Sequence, residues 1–473
     1  MTKQSTTGYL TKLTIVAALG GLLFGYDTAV ISGTVASLEN FFVLPFGLDE
    51  LSANSRLGFL VSSALIGCVI GGMSGGLITK KLGRKNGLIL AAVLFIFSAI
   101  GSAMPELFMK PIGEADHTFI YVFIFYRIIG GIGVGLASML SPLYIAEIAP
   151  ASIRGKLVSM NQFAIIFGML VVYFVNYYIS SQGNEAWLHT VGWRWMFASE
   201  TIPATLFLIL LFFVPDTPRS LVLKSQPEKA LQVLNKLNSA SEAKKILADI
   251  QKSVASTTSN WLFSYGTAVI IIGVLISAFQ QFVGINVVLY YAPEIFKNMG
   301  SGTETALLQT IIVGAVNLLF TVLAIMTVDK FGRKPLMIIG ALGMAVSMLA
   351  LGTSFYLESM GIGALLFMLL YVASFAMSWG PVAWVLLSEI FPNKIRGKAL
   401  AVAVAAQWIS NYLVSWTFPM MNKNTYLVET FHNGFAYWIY GLVSVLAAFF
   451  VWKYIPETKG KTLEEMERLW EKK

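Results

Sequence analysis

Charge is scarce in this sequence. Only 12% of the residues are Asp, Glu, Lys or Arg, whereas 56% are hydrophobic and the mean hydropathy is +0.71. A soluble domain carries about 25% charged residues, so this composition argues against a soluble globular protein. The single cysteine, Cys68, excludes an internal disulfide and a cysteine-cluster metal site, and three histidines argue against a histidine-based metal site.

Motifs of catalysis are also missing from the sequence. It shows no pairing of a nucleophile with a base, no set of metal ligands and no nucleotide-binding loop. We therefore expect neither an enzyme nor a bound cofactor. The net charge of +8 could suggest a nucleic-acid partner, but the positions of the cations give a better explanation, described below.

Long apolar segments dominate what is present. Each is about 20 residues or longer, which suits a membrane-spanning helix, and none shows the strict alternation of a barrel strand. The sequence therefore predicts an all-α membrane protein with twelve transmembrane helices. The segments are 10–33, 57–79, 86–105, 118–140, 157–180, 193–214, 261–294, 305–328, 335–357, 362–388, 399–422 and 433–452.

The basic residues predict the orientation in the membrane. With the N-terminus inside, only a few of the 33 Lys and Arg residues fall in the predicted outer loops: Arg56, Lys110, Arg194, Lys297 and Lys423. Cytoplasmic loops are enriched in Lys and Arg. This asymmetry accounts for the positive net charge and predicts that both termini are cytoplasmic.

An internal repeat divides the chain. Three short motifs occur twice, about 240 to 250 residues apart, in the same inner loop of each half: 82–85 and 331–334, 147–156 and 389–398, and 215–217 and 456–458. Duplicated six-helix halves are typical of major-facilitator transporters. We predict an N-terminal half (1–214), a cytoplasmic helical linker (215–260), and a C-terminal half with a short cytoplasmic tail (261–473).

Three ionisable residues fall well inside the predicted spans: Asp27, Arg127 and Glu200. A charge at the bilayer centre costs at least about 2.5–3.5 kcal/mol, so such residues are candidates for function. All three are predicted at a similar depth, roughly 10–14 Å from the outer surface at 1.5 Å per residue. They could form one carboxylate–guanidinium–carboxylate cluster, either for proton coupling or as a static ion pair.

Neutral polar residues form a second candidate set. Amides cost free energy in an apolar interior unless they are hydrogen-bonded, and they match sugar hydroxyls because both groups donate and accept. Interhelical hydrogen bonds are the alternative role. The amides lie at Gln162, Gln280, Gln281, Asn286, Asn317 and Gln407, with Trp384 and Trp408 near them and Gly284 weakening the seventh span.

Repeated acidic and basic residues occupy the inner loops. A topology signal needs arginine but no glutamate, and yet Glu147 with Arg154 recurs as Glu389 with Arg396. We expect inner salt bridges that break when the halves rock. The predicted cytoplasmic gate comprises Arg84, Glu147, Arg154, Arg219, Arg333, Glu389 and Arg396.

Five motifs together resemble the sugar porter family of the major facilitator superfamily, over essentially the whole chain. They are 20–27, Tyr126-Arg127 with the glycines that follow, 215–219, 280–286 and 456–460. Within the family the chain looks closest to the bacterial D-xylose–proton symporters. The resemblance implies a twelve-helix fold, alternating access, a bacterial inner-membrane location, and a monosaccharide and a proton as partners of a lipid-embedded monomer.

The resemblance also implies roles for individual residues. Asp27 would carry the proton, with Arg127 as its partner, and Glu200 would join the proton-coupling set. By motif match the sugar ligands would be Gln162, Gln280, Gln281, Asn286, Tyr290, Gly380, Trp384 and Gln407, with Phe24, Asn317 and Trp408 alongside.

Several functions stay open at this point. The leading prediction is proton-coupled import of D-xylose. Met169 lies on the same helix face as Gln162 and is apolar, as in hexose carriers of the family, so a glucose or galactose symporter is an alternative. A facilitative uniporter would not need Asp27. A non-transporting sugar sensor would need a long signalling tail, which this chain does not show.

Overall fold

The computed structural model is helical throughout the part of the chain that it describes, without β-strands there. It describes residues 3–150, 153–255, 261–392, 394–459, 465, 466 and 470. In this part, 11 helices are long and apolar enough to cross a membrane. The prediction of an all-α membrane protein is therefore confirmed.

One of these helices, Glu50–Ala103, accounts for two spans. Its 54 residues would extend roughly 80 Å, far more than the roughly 30 Å of a bilayer core. The helix is broken at Gly83, where φ is +82°, a conformation that glycine adopts without the strain a side chain would add. The break gives twelve spans, as predicted from the sequence.

The spans are numbered α1 to α12 in chain order. They are α1 Lys3–Val30, α2 50–82, α3 84–103, α4 Ile120–Ile148, α5 Arg154–Ser180, α6 Trp193–Ser199 with Thr201–Phe212, α7 Ala268–Phe282 with Ile285–Asn298, α8 Thr303–Phe331, α9 Arg333–Tyr356, α10 Ile362–Met377 with Trp379–Ile390, α11 Arg396–Asn422 and α12 Phe435–Tyr454. Short helices lie at Ile31–Gly33, Val35–Leu38, Glu39–Val43, Leu44–Phe46, His117–Phe119, Glu185–Trp187, Leu188–Gly192, Pro218–Leu223, Pro227–Leu237, Ala240–Ala255 and Thr425–Phe431.

Three spans are interrupted, each for a local reason. In α6 the break falls at Glu200, because Pro203 has no N–H to donate to the carbonyl four residues back. In α10 the break falls at Ser378, and Pro381 has the same effect there. In α7 the break falls at Gly284, whose φ is +93°, as its position in the sequence predicted. At these breaks, backbone N–H and C=O groups inside the protein lose their helical hydrogen bonds.

The two halves meet through α2 against α11 and α5 against α8. Small residues permit this approach: a Cβ on Gly58 would lie 2.0 Å from the Trp416 carbonyl oxygen. The loops that carry the repeated Gly-Arg-Lys motif share one face of the molecule with the start of α1 and the end of α12, here called the terminal face. The loops between α1 and α2 and between α11 and α12 lie on the opposite face.

Candidate functional site

A buried ion pair joins α1 to α4. Arg127 Nη1 donates to Asp27 Oδ1 at 2.6 Å, and Arg127 Nη2 donates to the Asp27 carbonyl at 3.2 Å. The two side chains are 0% and 1% exposed. Asp27 Oδ2 and Arg127 Nε have no hydrogen-bond partner among the described residues. Unpaired buried groups of this kind are costly, so the pair keeps an unused acceptor and an unused donor.

Glu200 lies in the same buried region, at the break in α6. It is 0% exposed, and it is close enough to Asp27 and Arg127 to interact with both electrostatically. Within the described chain, no donor reaches either carboxyl oxygen of Glu200, and a hydrogen bond between its carboxyl and that of Asp27 forms only when one of the two is protonated. The structure therefore brings together the three ionisable residues that the sequence singled out, and the Asp27–Arg127 contact is direct.

The predicted amides of α7 flank the break at Gly284. Gln280 Nε2 donates to the carbonyls of Trp379 and Gly380, at 2.8 and 3.3 Å, where α10 is itself interrupted. On the other side of the break, Asn286 Nδ2 donates to Gln281 Oε1 at 2.5 Å. The two helix breaks are therefore linked by Gln280, which was predicted to bind sugar.

Some predicted ligands meet across the halves. The rings of Phe24 in α1 and Trp408 in α11 lie 5.5 Å apart between centroids. Three buried polar atoms of this set, Gln280 Oε1, Gln407 Oε1 and Trp408 Nε1, have no partner in the described residues. Two acceptors and one donor are therefore available to a polar ligand. Asn317 is buried in α8, while Gln162, Asn286 and Trp384 are half-buried.

The terminal face of the N-terminal half holds a compact charged cluster. Arg84 donates to Glu147 Oε1 through Nε at 3.1 Å and Nη2 at 2.6 Å. Asp216 Oδ1 accepts from the backbone N–H groups of Arg84 and Lys85, both at 3.2 Å, and so caps the start of α3. Burial raises the pKa of Asp216, but hydrogen bonds from Ser220, Lys224 and Lys85 outweigh it and leave the pKa below its usual value.

The C-terminal half repeats this cluster. Arg333 donates to Glu389 through Nε and Nη2, at 3.1 and 2.8 Å. Glu457 accepts from the backbone N–H groups of Arg333 and Lys334, both at 3.1 Å, and Thr458 donates to Glu389 at 2.6 Å. The repeated motifs of the sequence are therefore the parts of one structural unit that is built twice.

Both repeated loops require glycine for the same reason. Gly83 and Gly332 both have positive φ, +82° and +91°. A Cβ on Gly83 would lie 2.4 Å from Asp216 Oδ2, and one on Gly332 would lie 2.9 Å from Glu457 Oε2. Each carboxylate reaches its helix start only because the loop has no side chain there.

The pairing inside the predicted gate differs from the sequence-based expectation. We expected Glu147 to pair with Arg154 and Glu389 with Arg396, but these glutamates contact Arg84 and Arg333. Arg154 instead donates to the Ala149 carbonyl at 3.4 Å. Arg396 donates to the Phe391 carbonyl at 3.2 and 3.1 Å. Both arginines therefore cap the last carbonyls of the preceding helix, which stabilises a helix C-terminus. Arg219 is half-buried in Pro218–Leu223.

Sequence reasoning missed several of these residues. Asp216 and Glu457 were noticed only as a repeated motif, although an acidic residue repeated in both halves was a usable signal. Among the amides, Asn161, Asn176 and Asn411 are buried as well. Asn411 lies one turn after Gln407 on α11, a spacing that could have revealed it. Gly460, the last residue of its motif, lies outside the described residues.

The opposite face is closed by contacts between the halves. Trp416 Nε1 donates to the Ser55 carbonyl at 3.1 Å, and Tyr173 OH donates to the Leu289 carbonyl at 2.9 Å deeper in the protein. Carboxylates make the outermost contacts: Glu39 with Lys423, Glu50 with Thr425, Glu185 with Thr303, and Glu304 with Tyr177.

A small cleft lies at this closed face. It is bordered by Ser37 and His189 from the N-terminal half and by Glu294, Lys297 and Leu307 from the C-terminal half. None of the predicted sugar ligands lines it. This cleft belongs to the closed contact between the halves, and we do not assign the sugar site to it.

A family model described as "Sugar (and other) transporter" matches residues 13–470. The chain belongs to this sugar transporter family. It is 63% identical to the D-xylose-proton symporter of Escherichia coli (strain K12), an alignment that covers 100% of this chain and 98% of that protein. The relatives are transporters rather than enzymes, and this member of the sugar transporter family is a multi-pass membrane protein.

Solved structures of the sugar transporter family share its architecture. The inward open conformation of the xylose transporter XylE from E. coli has a TM-score of 0.89 at 61% identity, and it covers 98% of this chain and 100% of that one. The proton:xylose symporter XylE bound to 6-bromo-6-deoxy-D-glucose has a TM-score of 0.85 at 63% identity, with the same coverage. The predicted fold of two six-helix halves is confirmed.

Proposed function

We propose that this protein imports D-xylose together with a proton. The buried Asp27–Arg127 ion pair carries the proposal, since a carboxylate inside a membrane helix is retained where its charge serves transport. The 63% identity to a D-xylose-proton symporter over the full length supports the same function. The driving force is the proton gradient, and no cofactor is required.

The proton would bind at the Asp27 carboxylate. The site holds one guanidinium and two carboxyls, and a buried charge without a partner is strongly disfavoured. Protonation of Asp27 would release Arg127 from its 2.6 Å contact, and Glu200 offers a second acceptor in the same region. Proton binding would in this way loosen the junction between α1 and α4.

The sugar would bind at the breaks in α7 and α10. Gln280, Gln281 and Asn286 offer amide donors and acceptors there, and the unpaired oxygens of Gln280 and Gln407 would accept from sugar hydroxyls. Trp384, Trp408 and Phe24 would cover the C–H face of the ring. Gln162, Tyr290, Asn317 and Gly380 would complete the site.

Transport would follow from rocking of the two halves. Contacts between the halves close the opposite face, while the Arg84–Glu147 and Arg333–Glu389 pairs lie within single halves at the terminal face. We propose that the termini lie in the cytoplasm, so that this pattern represents an inward-facing state. We also propose that the protein is a monomer in a bacterial inner membrane. Residues 1–214 and 261–473 would move as two bodies joined by the linker 215–260.

Uptake by proteoliposomes tests this function. Purified protein in vesicles with an acidic outside should accumulate labelled D-xylose above the external concentration, and a protonophore should abolish the accumulation. Equilibration without accumulation would favour a facilitative uniporter. Sugar binding without any flux would favour a sensor.

Removing an amide or an aromatic wall from the site should weaken sugar binding. Gln281→Ala also leaves the Asn286 amide without its 2.5 Å partner. A stranded buried polar group costs about 1–3 kcal/mol, which corresponds to roughly 5- to 150-fold in affinity. We expect a similar loss for Trp384→Ala. Calorimetry with D-xylose measures both effects.

A matched control for these variants is Gln309→Ala. Gln309 accepts from Ser301 at the opposite face and is not a predicted ligand, so its removal should leave the affinity unchanged. Wild-type affinity in both Gln281→Ala and Trp384→Ala would place the sugar elsewhere in the protein.

D-Glucose is expected to bind as well as D-xylose, even where it is carried poorly. A hexose has one CH₂OH group more than the matching pentose. Met169 is buried in α5 beside Gly25, and its flexible apolar side chain can move aside to make room for this group. A single pocket group discriminates by only about 1–3 kcal/mol. The XylE structure with a bound bromodeoxyglucose supports this expectation.

Competition and counterflow decide this point. Unlabelled D-glucose should displace labelled D-xylose, and counterflow of each sugar should show which one is transported. An absence of competition at a large excess of glucose would mean that the pocket excludes hexoses. Faster uptake of glucose than of xylose would favour the hexose-symporter alternative.

A further inference from the structure

Three buried side chains form a hydrogen-bonded row between α11 and α7. Ser415 Oγ donates to Asn411 Oδ1 at 3.1 Å, and Asn411 Nδ2 donates to the Tyr290 hydroxyl oxygen at 3.3 Å. All three residues are buried. The row joins a predicted sugar ligand, Tyr290, to two residues that the sequence motifs do not single out.

The orientation of the Asn411 amide in the structure sets the direction of these hydrogen bonds. An amide oxygen only accepts and an amide nitrogen only donates. Because Ser415 donates to the oxygen of Asn411, the amide presents its nitrogen to Tyr290. The Tyr290 oxygen therefore acts as an acceptor in this contact, and the hydroxyl proton has to point away from Asn411. Among the described residues this proton has no acceptor.

The segment that carries Tyr290 is held on both sides of this residue. Tyr173 of α5 donates to the Leu289 carbonyl at 2.9 Å, and Tyr291 donates to the Ser415 carbonyl at 2.9 Å. These bonds fix the backbone of α7 against α5 and α11. With this backbone held, the hydrogen bond from Asn411 constrains the direction of the Tyr290 hydroxyl proton.

We propose that Asn411 is a positioning residue that directs the Tyr290 hydroxyl proton toward the bound sugar, with Ser415 fixing the orientation of the Asn411 amide. The proposal rests on the proposed function, since it takes Tyr290 as a sugar ligand. Tyr290 would then serve as a hydrogen-bond donor to a sugar oxygen. A preset donor costs less to order on binding than a rotating hydroxyl, which raises affinity.

The test compares four variants with the wild type in D-xylose titration calorimetry and in uptake kinetics. Tyr290→Phe removes the hydroxyl, Asn411→Leu removes the amide at similar size, and the double variant removes both. Ser415→Ala removes the hydrogen bond that fixes the orientation of the Asn411 amide. Ser444→Ala is the control, because Ser444 is a buried serine whose one hydrogen bond among the described residues is within its own helix, to the Tyr440 carbonyl.

Tyr290→Phe and Asn411→Leu should each weaken D-xylose binding by roughly 3- to 30-fold. The double variant should bind D-xylose at most about twofold more weakly than the weaker-binding single variant, because both changes remove the same contact. Ser415→Ala should show a smaller loss, and Ser444→Ala none. KM should rise while the maximal rate is maintained, whereas a merely structural role would lower the amount of active protein.

Two results would overturn the proposal. One is wild-type affinity in Asn411→Leu or, should that variant not fold, in Ser415→Ala. The other is a double variant whose loss is the product of the two single losses. A wild type that takes up no D-xylose under a proton gradient would instead refute the proposed function, so the two failures are distinguishable.

Discussion

Asp27→Asn is expected to abolish accumulation of D-xylose against its gradient, while sugar binding and exchange at equal concentrations are largely retained. Asparagine keeps the size and hydrogen-bonding capacity of Asp27 but does not titrate. Proton binding would break the Asp27–Arg127 contact. In the variant, the side chain at position 27 is permanently uncharged. Internal sugar should therefore only reach the external concentration. Uptake with and without a pH gradient, together with counterflow, measures this.

The control for this variant is a second buried ion pair in the same half. Glu106 is fully buried and accepts from Arg194 Nη1 at 2.8 and 3.0 Å, at the opposite face and away from Asp27. If a folded Glu106→Gln variant still accumulates sugar, loss in Asp27→Asn reflects the titrating group rather than any broken ion pair. Undiminished pH-driven accumulation in Asp27→Asn would exclude Asp27 as the proton carrier.

Gly58→Leu is expected to stop net transport by preventing closure of the opposite face. A Cβ at this position would lie 2.0 Å from the Trp416 carbonyl oxygen across the halves. The obstacle is backbone rather than a flexible side chain, so α2 and α11 have to separate. Sugar should still bind, because the predicted ligands lie deeper in the protein. Uptake should fall to background while calorimetry still detects D-xylose.

Spin labels report this separation directly. Leu44 and Tyr426 are exposed on the opposite face, one in each half, and cysteines at these positions can be labelled in a Cys68→Ser background. The distance between the labels should increase in Gly58→Leu. Gly76 lies on the same helix, and a Cβ added there would meet nothing within 4 Å, so Gly76→Leu should leave both distance and uptake unchanged. An unaltered label distance in Gly58→Leu would refute the proposed role of this contact.

Much of the fold followed from the sequence because a bilayer imposes few solutions. Backbone groups in lipid must bond within their own segment, so each long apolar run becomes a helix. The same solvent makes Asp27, Arg127 and Glu200 conspicuous, since a charge there is expensive. The break in α7 could be expected from Gly284 alone. The break in α6 at Glu200 was not predicted, although Pro203 was a local signal for it.

The contact partners of individual side chains, in contrast, depended on distances between residues far apart in the chain. Helical periodicity gives the face of a residue but not the rotation of one helix against another. The sequence therefore suggested Glu147 with Arg154, which are near in the chain, whereas the structure brings Arg84 to Glu147 from another helix. The caps formed by Asp216 and Glu457 on the starts of α3 and α9 depend on the same long-range packing.

The sequence by itself determined the membrane environment, the twelve helices, the duplicated halves and the buried charged trio, because each is a consequence of local composition, helix length or repetition. Only the tertiary structure decided which carboxylate meets which arginine, how Ser415 and Asn411 orient toward Tyr290, and which face of the molecule is closed. These features depend on the relative placement of helices and halves, and a transporter of this kind has more than one such placement for the same sequence.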